Sequence, residues 1–125
     1  MATRIEIVAV TVAPGTPVAN PQITAMNFDD GRVDGLEIVI PDGPAGMVGF
    51  QIRHSNQVII PYDGVTFIVA NNETIKWPLE TFPEADKWDV RIYNKGVFTH
   101  TLYFRWLITD VITVPSLPPL VAIGT

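Results

Sequence analysis

Apolar residues recur at every second position along much of this chain, and this spacing constrains the fold more than any other feature. In the last long run, Leu102, Phe104 and Trp106 share one face, and Tyr103 and Arg105 share the other. A period of two is typical of a half-buried β-strand, whereas an amphipathic helix repeats apolar residues three and four positions apart. Because no stretch of a dozen residues shows the helical spacing, the sequence predicts an all-β protein.

Turn-forming residues divide the alternating runs into about eight or nine short strands, a cadence typical of antiparallel sandwiches and barrels. Ser55-Asn56 and Asn71-Asn72 each predict a two-residue hairpin, since asparagine tolerates a positive φ. Residues 14–21 are predicted to be extended and irregular, and residues 78–87 to form a loop whose Phe82 plugs the core. The predicted strands cover residues 4–12, 33–40, 47–54, 57–60, 66–70, 73–77, 88–93 and 97–108.

The alternation also predicts which side of each strand is buried. In the first strand, Ile5, Ile7 and Ala9 are expected to face the core, with Val12 as a further candidate. The other inward faces are predicted to consist of Leu36, Ile38 and Ile40, of Trp88, Val90 and Ile92, and of Leu102, Phe104, Trp106 and Ile108.

These strands predict one antiparallel β-sandwich, of jelly-roll or immunoglobulin-like type, with an extended arm at each end. We expect residues 1–32 to form an N-terminal strand and arm, residues 33–110 the sandwich, and residues 111–125 a C-terminal arm. A length of 125 residues is that of a single domain.

The last fifteen residues carry no charged side chain and are interrupted by Pro115, Pro118 and Pro119. Proline excludes a regular helix, and the segment is shorter than the roughly 20 apolar residues that cross a bilayer. Its apolar runs must therefore be covered by a sheet of this chain or of a neighbouring subunit. The residues predicted to form this assembly arm are Val111, Ile112, Val114, Leu117, Leu120, Val121 and Ile123.

Charge and composition argue against several classes of function. The net charge is −5 and the basic residues are scattered singly, whereas a phosphate backbone requires clustered lysine and arginine. The sequence contains no cysteine, so thiolate chemistry and disulfides are excluded, and a reducing compartment is compatible with the composition. The N-terminal residues lack the apolar core of a signal peptide. We expect neither nucleic-acid nor membrane binding.

The residues offer little for catalysis, and we predict no enzyme, cofactor or metal. His54 and His100 lack the spacing of a zinc site. Asp29, Asp30 and Asp34 match no calcium loop. A glycosidase would need two facing carboxylates among Glu80, Glu84, Asp86 and Asp89. The glycines at 43, 46 and 49 precede no helix that would hold a phosphate.

Several short segments, in their order and spacing, resemble small structural proteins of tailed bacteriophages that infect actinobacteria. The resemblance covers roughly residues 16–110. It is carried by residues 39–46, Gly49-Phe50-Gln51-Ile52, Gln57-Val58-Ile59-Ile60-Pro61, Asn71-Asn72-Glu73, Ile75-Lys76-Trp77, Tyr93-Asn94 and residues 100–107.

This resemblance implies a non-enzymatic virion component, made in the host cytoplasm and incorporated into the particle. We expect a capsid-associated decoration, cement or neck subunit whose arms bind the major capsid protein or connector and tail subunits. A homo-oligomer is expected, with a trimer favoured. The alternative is a minor tail or fibre module that recognises a host-surface glycan, for which the candidate binding residues are Tyr62, Trp77, Trp88 and Tyr93.

Overall fold

The computed structural model of the chain describes residues 3–28, 31–61, 66–82 and 85–110, and for residues 79–82 the backbone alone. Every regular element among these residues is a β-strand, as the spacing predicted. The nine strands are β1 (Thr3–Val12), β2 (Gln22–Met26), β3 (Arg32–Ile40), β4 (Val48–His54), β5 (Gln57–Ile60), β6 (Ile68–Val69), β7 (Glu73–Phe82), β8 (Trp88–Asn94) and β9 (His100–Thr109).

The strands form two antiparallel sheets that pack face to face as a β-sandwich. The first sheet has the order β1-β9-β3-β7, and the second has the order β2-β8-β4-β5, with β6 also pairing with β4. The N-terminal segment contributes to both sheets, because β1 pairs with β9 and β2 pairs with β8.

Aromatic side chains fill the space between the sheets. The Trp106 ring lies 5.1 Å from that of Trp88 on the opposite sheet, and its indole N–H donates to the Met26 sulfur at 3.2 Å. Phe104 meets Phe50 edge to face at 5.7 Å. Edge-to-face and tilted rings are favoured by the aromatic quadrupole. The inward faces predicted for β3, β8 and β9 are confirmed.

The face predicted for β1 is wrong for Ile5, Ile7 and Ala9, although the further candidate Val12 is buried as predicted. Ile5 and Ile7 are 61% and 62% exposed, while Val10 and Val12 are buried. The register with β9 explains the reversal, because Val10 lies opposite the buried Leu102. Because side chains alternate between the two faces of a strand, the face assigned to one residue fixes the face of all the remaining residues.

Two local predictions also fail. The chain after Pro21 forms a regular strand, β2, where no strand was predicted. Asn71-Asn72 does not close a hairpin, because β6 pairs with β4 in the second sheet and β7 with β3 in the first. This turn therefore carries the chain from one sheet to the other.

Several strand boundaries differ from those predicted, most of all at the end of β7 and at the start of β9. The loop expected at residues 78–87 is shorter, since β7 continues to Phe82, whose side chain lies outside the described residues. At the start of the last strand, pairing begins at His100, three residues later than predicted. By contrast, Ser55-Asn56 forms the predicted hairpin with both residues at positive φ.

Candidate assembly surface

The outer surface of the first sheet exposes a continuous group of apolar side chains. Ile5, Ile7 and Ala9 of β1 lie directly opposite Leu107, Arg105 and Tyr103 of β9, and direct partners in an antiparallel pair point to the same side. We call Ile5, Ile7, Ala9, Tyr103 and Leu107 the β1–β9 face. All five are exposed. Single exposed apolar residues are ordinary, whereas a group of them on one face is a candidate binding surface.

A shallow depression of about 370 Å³ lies at one end of this face. Its apolar wall follows one row across the sheet, since Ile5 lies opposite Leu107, Leu107 opposite Gly35, and Gly35 opposite Pro78. Gly35 forms the floor because it has no side chain. A methyl group added there would meet no atom closer than 3.7 Å, apart from its chain neighbours, so the space above this residue is open.

Charged groups border the depression on one side. Arg105 donates to Glu37 at 2.6 Å across the β9–β3 pair, and Lys76 lies opposite Glu37 on β7. The Arg105 side chain is exposed and that of Glu37 is partly exposed, and an ion pair in contact with water contributes little to stability. An apolar centre beside a charged border is the usual composition of a protein–protein interface.

The outer surface of the second sheet differs, because several of its side chains are paired with or covered by a neighbour. Arg53 donates two hydrogen bonds to Asp89, at 2.7 and 2.9 Å. Tyr93 lies over Gly49 and under the Phe67 ring, whose centroid is 5.0 Å away. Ile23 and Val69 remain 58% and 49% exposed there, on strands that are separated by β8 and β4. The first sheet therefore carries the more extensive exposed apolar surface.

A second exposed apolar group lies in the loop between β8 and β9. Val97 and Phe98 are exposed, and Met47 packs beside Gly96. Buried Asn94 holds this loop in shape: its amide donates to the carbonyl oxygens of Phe98 at 2.7 Å and Val12 at 3.3 Å, and its oxygen accepts from the Gly96 N–H at 2.9 Å.

Two candidate glycan-binding residues are buried, which contradicts their predicted role. Trp88 is 1% exposed and Tyr93 is 7% exposed, so neither ring offers a free face for a sugar to stack on. Trp77 is half-buried and packs against the core. Tyr62 lies outside the described residues.

The histidines and carboxylates considered in the sequence do not converge in the described part of the chain. His54 packs at 4.9 Å from Trp88, which in turn contacts Trp106. Trp106 is six residues along β9 from His100, roughly 20 Å at the rise of a strand. No group of three or more metal-binding side chains occurs among the described residues.

The carboxylates do not face one another either: some are paired with other side chains, one is exposed, and the rest lie outside the described residues. Asp34 accepts from Arg32 at 3.0 Å and from the Thr109 hydroxyl. Asp89 is paired with Arg53, and Asp86 is exposed. The candidates Asp29, Asp30 and Glu84, and the side chain of Glu80, lie outside the described residues.

The whole predicted assembly arm, residues 111–125, lies outside the described residues. The β1–β9 face was missed in the sequence because Ile5, Ile7 and Ala9 were assigned to the core. The opposing signal was present in Val8, Val10 and Val12, which form an equally regular apolar series on the other side of β1.

No protein-family model matches the chain, and no curated protein matches it significantly. Within the described ranges, no helix is present that has the length and apolar character needed to span a membrane.

Proposed function

We propose that this protein is a non-enzymatic structural subunit of a bacteriophage virion, most simply a capsid-associated decoration, cement or neck subunit. The observation that carries the proposal is the β1–β9 face, an apolar surface on an otherwise well-packed sandwich. The resemblance of residues 16–110 to phage structural proteins is the reason for proposing that the assembly is a phage virion. The β1–β9 face supplies a surface on which neighbouring virion proteins would be bound.

The physical basis of such binding is burial of apolar area, worth roughly 25 cal/mol per Å² removed from water. Ile5, Ile7 and Leu107 offer this area already in place, because their backbone is fixed by the β1–β9 ladder. A surface that is ordered before binding loses less conformational entropy when a partner arrives. The partners proposed are the major capsid protein or connector and tail subunits, together with further copies of this chain in a homo-oligomer, with a trimer favoured.

The location is tested by labelling particles of a phage that carries this gene with an antibody against the purified protein, and imaging them by electron microscopy. Label on the capsid shell or the neck is the expected result. Label at the tail tip would instead favour the minor tail or fibre alternative. The whole proposal is overturned if the lysate contains the protein but purified particles carry none.

A further inference from the structure

The depression on the first sheet lies close to the point where the described chain ends. Leu107 forms part of its wall, and β9 ends two residues later at Thr109, about 7 Å along the strand. The next residue, Asp110, is held by an ion pair with Arg4 of β1. The uncharged C-terminal segment therefore starts at the same end of the sheet as the depression.

The chemistry of residues 111–114 matches this surface. The sequence is Val-Ile-Thr-Val, without a charge and with a β-branched side chain at every position. Such residues favour an extended backbone on a pleated surface. A volume of 370 Å³ lies at the small end of the roughly 300–1,000 Å³ of ligand pockets, which suits a few aliphatic side chains laid over an open site.

The same residues disfavour an immediate return onto their own sheet. A reversal requires turn-forming residues such as glycine, proline, asparagine or serine. After Asp110, which is paired with Arg4, the first such residues are Pro115 and Ser116. An extended chain would by then be roughly 20 Å beyond the end of β9. The composition of residues 111–114 thus favours binding to a neighbouring copy over a return to the depression of their own chain.

We infer that residues 111–114 of a second copy of this chain occupy the depression formed by Ile5, Gly35, Pro78 and Leu107. This inference rests on the proposed function and names one partner of the β1–β9 face. Each copy has one such segment and one depression, so each copy can bind the next. The assembly closes into a dimer or a ring if the rotation that relates neighbouring copies returns to the first copy.

Gly35 allows the site to be filled without breaking the sandwich. Its φ is not in the left-handed region, and an added Cβ makes an ordinary contact with the Trp77 carbonyl oxygen at 3.7 Å. Gly35→Val should therefore fold, while its side chain takes the space of the incoming segment. We expect self-association to weaken by about tenfold or more. The urea midpoint of unfolding should be no lower than that of the wild type when both are measured at a concentration where the chains are monomeric.

The absence of cysteine permits a direct test of which copy supplies the segment. A Ser116→Cys chain carrying a nitroxide label, unlabelled for NMR, is mixed with a wild-type chain whose isoleucine and leucine methyl groups are ¹³C-labelled. The expected result is broadening of the Ile5 and Leu107 methyl signals, with Ile23 on the opposite sheet much less affected. Gly35→Val in the ¹³C-labelled chain should remove the broadening.

Two results would overturn the inference. Broadening that occurs solely when the nitroxide and the ¹³C labels are on the same chain would show that the segment returns to its own sheet. Absence of broadening at Ile5 and Leu107 in either arrangement, up to the solubility limit, would show that the depression does not receive this segment. Both results would leave the particle-labelling test of the proposed function unaffected.

Discussion

Asn94 and Asn71 form a matched pair for measuring what a buried hydrogen-bonding side chain contributes to this fold. Each side chain makes three hydrogen bonds. Asn94 bonds to Val12, Gly96 and Phe98, as described above. Asn71 accepts from the N–H groups of Gly43 and Ala45, both at 2.9 Å, and donates to Asp42 at 3.0 Å. Asn94 is 0% exposed, whereas Asn71 is exposed.

Replacing each asparagine with alanine should therefore have very different effects. A buried polar group left without a partner costs about 1–3 kcal/mol, while an exposed group regains water. Of the three Asn94 bonds, the one to Val12 is fully buried and the other two are partly buried. We expect Asn94→Ala to lower the free energy of unfolding by about 3 kcal/mol, and Asn71→Ala by less than about 1 kcal/mol.

Urea unfolding followed by tryptophan fluorescence measures both changes. With an m-value of about 1–3 kcal/mol/M, a loss of about 3 kcal/mol should lower the urea midpoint of the Asn94 variant by about 1–3 M. Asn94→Asp keeps the oxygen that accepts from Gly96 but turns a carboxylate toward two carbonyl oxygens, so it should be no more stable than the alanine variant. Equal effects of the two alanine substitutions would refute the argument from burial.

Three further predictions concern the outer surfaces of the sheets. Gly49→Ala should lower the free energy of unfolding by about 1–3 kcal/mol, measured by urea unfolding, because its methyl group would overlap the Tyr93 ring. Burial raises the pKa of the Tyr93 hydroxyl above its ordinary value of 10.0. The unfolded chain therefore loses this proton at a lower pH than the folded protein does. The free energy of unfolding should then be independent of this group below about pH 10 and fall above it, and urea midpoints of Tyr93→Phe should fall less steeply with pH. Ile7→Lys should lower the mass of any oligomer seen by light scattering, while Ile23→Lys, at a similarly exposed site on the other sheet, should not; equal effects would argue against the β1–β9 face.

Local patterns predicted most of the strands because they are decided by residues close in sequence. Leu102, Phe104, Trp106 and Ile108 leave β9 one face that can be buried, and all four are in the core. Ser55-Asn56 closes its hairpin because both residues adopt the positive φ that asparagine tolerates better than most residues.

The predictions that failed depend on which strands are neighbours. The sequence predicts a loop that starts at Pro78, and proline cannot donate a hydrogen bond to a strand ladder. Pro78 lies within β7, an edge strand of the first sheet, where the missing N–H can face solvent. Asn71-Asn72 carries the same turn signal as a hairpin, and local sequence does not reveal that β6 and β7 belong to different sheets.

The wrong prediction of the buried face of β1 is also the reason why the β1–β9 face was not predicted. Both faces of this strand are apolar: Ile5 and Ile7 lie on one, Val10 and Val12 on the other. A strand with one polar face would identify its buried side by itself, but here the choice is made by pairing with β9. Whichever series β9 leaves outside becomes an exposed apolar surface. A strand that is apolar on both faces at the edge of a two-layer sandwich is therefore itself a sequence signal for an interface, and Ile7→Lys tests whether this chain uses it.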